Sequence, residues 1–339
     1  MPLRMSDIAK SLGVSRTTVS RVLSGQAEKF RIAPETAARI VKEAGRSGYR
    51  PSQLARGLRT SSSRTLGLIV SDISNPFFAN IAFAAEQVAE QNGFVTVLGS
   101  SGENIQREQD YIENLRSRGA DGLIVAACGP DFEHFQRLRE EGFPFVLIDR
   151  VFNEVDCDWV AAENINSARA LVDALIAQGA RRIAHLGGRL QTSTGLGRLE
   201  GYRAALRTRR IPFEPDLFVR GDFSVDSGRR GVEQLLKLKN PPDAVFCANN
   251  KVLTGCLERL AEEPGAKWAR MPMACFDEVP LMSLLGRPLW VAAQPVRRIG
   301  SRAAELLIQR VRSGAPGTPR MKKPYTHELF DVEQKRYGL

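Results

Sequence analysis

From residue 65 onward the sequence is paced by short apolar runs: Leu66 to Val70, Phe94 to Leu98, Gly122 to Ala126 and Phe145 to Ile148, then, restarting after Asp149, Trp159 to Ala161, Arg182 to Leu186, Ala244 to Cys247, Met273 to Phe276 and Trp290 to Ala292. Longer amphipathic stretches separate them. Strand-length runs alternating with segments of helical period are the pattern of parallel strands joined by crossover helices, since parallel neighbours cannot be linked by a tight turn. The restart predicts two similar α/β halves. Ligands of such sheets sit beyond the carboxyl ends of the strands, which makes the polar residues after each run site candidates. These are the stretch from Ser71 to Phe78, then Asp149-Arg150, Asn249-Asn250 and Asp277-Glu278. Carboxylates and amides converging with aromatics suit a polyhydroxylated ring, which needs hydrogen bonds at its rim and a stacking face.

Charge sets the first sixty residues apart. They hold twelve Lys or Arg against four Asp or Glu, whereas the other 279 residues hold 36 against 34. A cationic field confined to one small segment implies a polyanionic partner for it, because phosphate neutralisation with counterion release drives nucleic-acid association. A membrane surface is the other anionic partner. The start from Met1 to Asp7 has no signal-peptide core, and no 18 consecutive residues are apolar, so no membrane association and a cytoplasmic location are expected. Cys128, Cys157, Cys247, Cys256 and Cys275 are odd in number and never form a CxxC pair, which reads as reduced core residues. His134, His185 and His327 are isolated in sequence. No metal site and no cofactor are expected.

Within the basic segment Ser6 can cap a helix buried through Ile8, Ala9 and Leu12, and Gly13 supplies a tight turn. Ser15 caps a second helix whose inner stripe is Val19, Val22 and Leu23. Pro34 opens a third, with Ile40, Val41 and Ala44 at helical spacing. Three short amphipathic helices with this turn form a helix-turn-helix, whose second helix enters the major groove. Arg16, Thr17 and Ser20 then face outward, with Arg21 one turn beyond Thr17. Arginine reads guanine and threonine a base or thymine methyl, while the hydroxyls of Ser15, Thr18 and Ser20 suit phosphates.

The run Asp7-Ile8-Ala9, Leu12 to Leu23, then Gly48-Tyr49-Arg50-Pro51 and Ala55-Arg56-Gly57-Leu58-Arg59, resembles the headpiece and hinge of the lactose-repressor (LacI) family, and the likeness continues through most of the chain. The stretch from Gln26 to Arg31 is longer than in most members and is similar to the loop of the fructose and sucrose regulators; it brings Lys29 and Arg31 near DNA. Ala33 stands where a Ser N-cap is usual.

The resemblance implies a DNA-binding domain over 1–50, a hinge helix and linker over 51–64, and a two-lobed core like periplasmic sugar-binding proteins over 65–339. Lobe one is expected over 65–162 and 294–322, lobe two over 163–293 and 323–339. In the hinge, Leu58 would wedge into the minor groove, Ala55 would meet its dimer mate and Arg56 a phosphate; Gly57 makes this segment a poor helix alone. Carried over by position, the effector site comprises Asn75, Phe77, Asp149, Arg150, Arg198, Phe223, Asn249, Asp277 and Gln294. The implied function is a transcriptional repressor, not an enzyme, binding double-stranded operator DNA as a homodimer or tetramer. Its dimer seam would lie near Phe77 to Val88, and a sugar or sugar phosphate would weaken operator binding. The amphipathic stretch Val296 to Val311 reads as core packing. Two alternatives are an α/β sugar-binding protein and an NAD-type enzyme. For the latter, the last glycine of the stretch from Gly195 to Gly201 comes one residue late and lies mid-chain, and no Walker loop or nucleophile elbow is present.

Overall fold

A computed structural model describes residues 5–49, 62–263, 268, 270–284, 287–314, 327–330 and 333–337. The chain divides into two compact units, residues 1–63 and 64–339. The expected hinge residues Ala55, Arg56 and Leu58 lie outside the described residues.

In the first unit α1 (Met5–Leu12) and α2 (Arg16–Leu23) are joined through Gly13, whose φ of +66° is costly for any side-chain-bearing residue. Ser15 caps α2 by accepting the Thr18 N–H at 3.0 Å. Helix α3 (Pro34–Arg46) starts on proline without a side-chain cap, as Ala33 foretold. Ile8, Ala9, Val19, Val22, Ile40 and Ala44 form the miniature core. Val41 does not join them: it is 57% exposed, and the half-buried Ala37, one turn before Ile40, completes the inward stripe.

The second unit holds two six-stranded sheets. The first is built from β1 (Thr65–Val70), β2 (Val95–Ser100), β3 (Gly122–Val125), β4 (Phe145–Ile148) and β5 (Asp158–Ala162), interleaved with α4 (Pro76–Gln91), α5 (Ile105–Ser117) and α6 (Glu133–Glu140). The chain then enters the second lobe through α7 (Ile165–Ala177), β6 (Ile183–Leu186), α8 (Ser193–Thr208), β7 (Phe218–Val219), α9 (Val225–Leu236), β8 (Ala244–Cys247), α10 (Asn250–Ala261), β9 (Met273–Phe276) and β10 (Leu289–Ala293). It returns to the first lobe with α11 (Val296–Ser313) and β11 (His327–Phe330) and ends with β12 (Glu333–Tyr337) on the second sheet. The orders are β11-β5-β4-β3-β1-β2 and β12-β10-β9-β8-β6-β7, parallel throughout except for β10 with β12.

Two expectations change. The strand over 158–162 lies in the first sheet between β4 and β11, within the lobe-one span 65–162 that the resemblance implied, and not at the head of the second series where the restart after Asp149 put it. Residues 327–330 pair with β5 in the first lobe, so of the expected 323–339 segment only 333–337 is seen to join the second sheet. Helix α11 packs into the first-lobe core through Ile299, Ala303 and Leu307, beside Ile81 of α4. The five cysteines are buried thiols. Among the described residues no helix is long and apolar enough to cross a membrane.

Candidate functional site

The carboxyl ends of both sets of strands open into one cleft of about 330 Å³, lined by Asn75, Phe77, Asp149, Arg150, Arg198, Phe223, Asn249 and Asp277 among others. That volume lies in the range of small-molecule sites. The ninth expected residue, Gln294, lies behind this wall and donates from Nε2 to Asp277 Oδ1 at 2.6 Å. Asn75 and Asn249 each cap the helix that follows their strand, accepting the N–H of Phe77 at 3.0 Å and of Val252 at 2.9 Å. Asn249 Nδ2 also reaches the Phe223 carbonyl at 3.2 Å. Asp149, Phe223 and Asp277 hold φ of +65°, +68° and +67°, and Glu103 at the rim +60°. Half of the described non-glycine residues with positive φ thus line one cleft, and backbone strain held at a single place is characteristic of ligand-binding sites.

Electrostatics inside the cleft are tightly paired. Arg150 is gripped by Glu103 at 2.6 and 2.7 Å and donates to the Ala127 carbonyl at 3.0 Å. Burial works against its charge, but Glu103 outweighs it and holds the guanidinium above its ordinary range. Arg198, from the buried side of α8, donates to Asn164 Oδ1 at 2.9 Å and the Ala248 carbonyl at 2.7 Å, and lies over the Phe276 ring. Burial lowers its pKa despite Asp277 and Asp149. Burial also raises both carboxyls, Asp149 against the pull of Arg150 and Arg198, and Asp277 to about 6 against Arg198 and Gln294. Phe223 sits with its ring 5.6 Å from the Arg150 guanidinium and 5.8 Å from that of Arg198. The glycines 195, 197 and 201 belong to α8 itself, so they form no phosphate-cradling turn.

Glu103, Arg189, Asp222 and Lys251 also line the cleft and were not foreseen. The first three follow the ends of β2, β6 and β7, so the strand-end rule finds them once it is applied to every strand. Lys251 bonds Asp72 at 2.5 Å and Asn250 bonds Asn75 at 2.9 Å, both across the two lobes.

On the first unit, Arg16 and Thr17 are exposed at the start of α2, while Ser20 and Arg21 are half-buried. The Ser15 hydroxyl is engaged in its cap and lies 2.8 Å from that of Thr18. Lys29 and Arg31 are exposed on the long loop, on either side of Phe30, whose ring lies 3.9 Å from the Arg21 guanidinium carbon.

Comparison with known proteins agrees with this division. Residues 63–331 match the model of periplasmic binding proteins and the sugar binding domain of the LacI family, and residues 4–52 match that of bacterial regulatory proteins of the lacI family. The transcriptional repressor CytR of Escherichia coli is 30% identical over 315 residues, 93% of this chain and 91% of that protein. A ribose operon repressor of Halalkalibacterium halodurans is 30% identical over 319 residues, 94% and 93% respectively. The crystal structure of the Cra transcriptional dual regulator of Pseudomonas putida in complex with fructose 1-phosphate is 26% identical, with a TM-score of 0.74 over 80% of this chain and 98% of that one. With both models matched in order and relatives similar over nearly their whole length, the chain belongs to the LacI family of bacterial regulatory proteins.

Proposed function

We propose that this chain is a sequence-specific DNA-binding transcriptional repressor of the cytosol, whose grip on its operator is set by a small sugar held in the cleft. The observation that carries the reading is the convergence of Asp149, Arg150, Arg198, Asn249 and Asp277 around the Phe223 ring at the ends of two parallel sheets. Fixed donors and acceptors beside an aromatic face are what a polyhydroxylated ring requires. The headpiece supports the other half, with Arg16 and Thr17 exposed on a helix stiffened by its Ser15 cap. A second copy supplies the other half-site; Phe83 on α4 and Val95, Val97 and Leu98 on the edge strand β2 are exposed apolar residues suited to its seam. The effector weakens operator binding, and a coupling of roughly 1 to 3 kcal/mol changes affinity about five- to 150-fold.

Charge narrows the effector. Asp72, Glu103, Asp149, Asp222 and Asp277 face Arg150, Arg189, Arg198 and Lys251 in the lining. Because Glu103 already occupies both terminal nitrogens of Arg150, a phosphate would have to displace it, whereas a neutral sugar leaves the pair intact. The balance favours the neutral sugar. A thermal-shift screen of the full chain against sugars and their phosphates tests this, since a ligand of the native form raises its melting temperature. Stabilisation by neutral sugars that also release a bound duplex is the expected result. Stabilisation by a sugar phosphate alone refutes the charge argument, and a sugar with no effect on the duplex refutes the repressor reading.

A further inference from the structure

We propose that Phe30 is a positioning residue for Arg21, holding the guanidinium of the recognition helix in the pose in which it meets DNA. The inference rests on the DNA-binding reading above. Helix α2 ends at Leu23, and the chain turns back at once: the Gly25 N–H donates to the Val22 carbonyl at 3.0 Å and the Gln26 N–H to that of Arg21 at 2.9 Å. The loop then closes on itself through Phe30 N–H to Gln26 O at 3.2 Å, Arg31 N–H to Glu28 O at 3.0 Å and Ile32 N–H to Ala27 O at 2.9 Å. Ala27 and Ile32 pack against the headpiece core, so both ends of the loop are anchored. Arg31 takes the left-handed conformation, φ +50°, where the loop reverses.

Phe30 is the loop's large apolar side chain, yet it is 40% exposed. Its ring lies under Arg21, the guanidinium carbon 3.9 Å from the centroid, with Lys29 Nζ at 6.0 Å. A guanidinium stacked on one face keeps its N–H groups in the plane, where a phosphate or guanine edge meets them. An arginine without such support must surrender its rotamer freedom when it binds, and a side chain ordered beforehand does not. The lengthened loop thus does more than carry Lys29 and Arg31: it furnishes a platform for a residue of the reading helix.

The test uses the full chain and a duplex selected by the wild type from a randomised library. Duplex affinity is measured for wild type, Phe30→Ala, Phe30→Tyr, Arg21→Ala and the Phe30→Ala/Arg21→Ala double variant. Phe30→Ala is expected to weaken binding about three- to tenfold, the effect of freeing one long side chain. Phe30→Tyr, which keeps the ring, restores it, and the Phe30→Ala loss vanishes when Arg21 is already alanine. A loss of full size in the Arg21→Ala background means that Phe30 itself touches DNA or only stabilises the headpiece, and overturns the proposal; so does no loss, or no rescue by tyrosine. If the wild type selects no duplex, the DNA-binding reading falls and this one with it, a result distinct from intact selection with a silent Phe30→Ala.

Discussion

Asp277→Asn should make the protein more stable at neutral pH, relative to acid, while weakening its effector site. Asp277 is buried at the end of β9, where burial raises its carboxyl from 3.8 to about 6. The folded state therefore holds this proton more tightly than the unfolded chain does. The sign follows: the contribution of Asp277 to stability is greatest below about pH 4, falls as the carboxyl is forced to ionise, and levels off above about pH 6. At roughly 1.4 kcal/mol per unit, the whole cost approaches 3 kcal/mol, of which about 2 kcal/mol accrues between about pH 4.5 and pH 7. Asparagine has the same shape, can accept the Gln294 bond through Oδ1, and tolerates the φ of +67°. The attraction to Arg198 that asparagine gives up acts only on the ionised carboxylate and is already contained in the value of about 6, so it does not alter this pH dependence. The observable is therefore the change with pH in the stability gap between variant and wild type, read by urea unfolding of the core transition. A gap that moves by about 2 kcal/mol in favour of the variant is expected; one level to within about 0.5 kcal/mol refutes the burial argument. In the wild type, effector hydroxyls that donate to the ionised carboxylate should bind more tightly as pH rises through about 6.

Glu103→Gln leaves the buried Arg150 facing Asp149 without its two-pronged partner, and should cost roughly 2 to 4 kcal/mol while raising affinity for sugar phosphates over neutral sugars; calorimetry and competition binding check both. Gly300→Ala would set a Cβ 2.3 Å from the Ile81 carbonyl oxygen, so α4 and α11 must part; a loss of about 1 to 3 kcal/mol is expected from denaturant unfolding. Leu58→Ala should weaken operator binding far more than non-specific binding, and equal losses in a duplex competition assay would argue against a minor-groove wedge.

Much of the architecture was legible because it depends on period. Four- to six-residue apolar runs and the three-helix pattern with Gly13 and Ser15 each have essentially one local solution, and both formed. What pairing order decides was not legible from period: the run at 158–162 looks the same in either sheet, the resemblance alone put it in lobe one, and its pairing with β4 and β11 is what distinguishes the two. The same holds for polar partners. His134 was isolated in sequence, yet its Nε2 lies 3.0 Å from Oε1 of the fully buried Glu108, 26 residues away. Glu103 stands just after β2, where the strand-end rule reaches it, but nothing local marks that its carboxylate will meet an arginine 47 residues later.

The cleft also accounts for why a modest ligand could reset the lobes. Contacts across it are polar, and all but the buried bond of Asn250 to Asn75 are partly exposed: Lys251 with Asp72, the Val151 N–H with Ser193 Oγ at 3.1 Å, and Arg189 near Glu103 at 3.6 Å. The exposed pairs contribute about 0 to 1 kcal/mol each and the buried amide bond about 0.5 to 1.5 kcal/mol, the same order as a single sugar hydrogen bond and as the coupling needed for regulation. An apolar seam of equal area would resist any small effector. Asn75 carries the connection furthest, because the oxygen that receives Asn250 from the second lobe also caps α4 in the first. That one oxygen accepts both bonds at once and so joins the second lobe to the start of the helix that bears Phe83. An effector acts through it only if it binds the two lobe angles with different affinity, however tightly it binds either one.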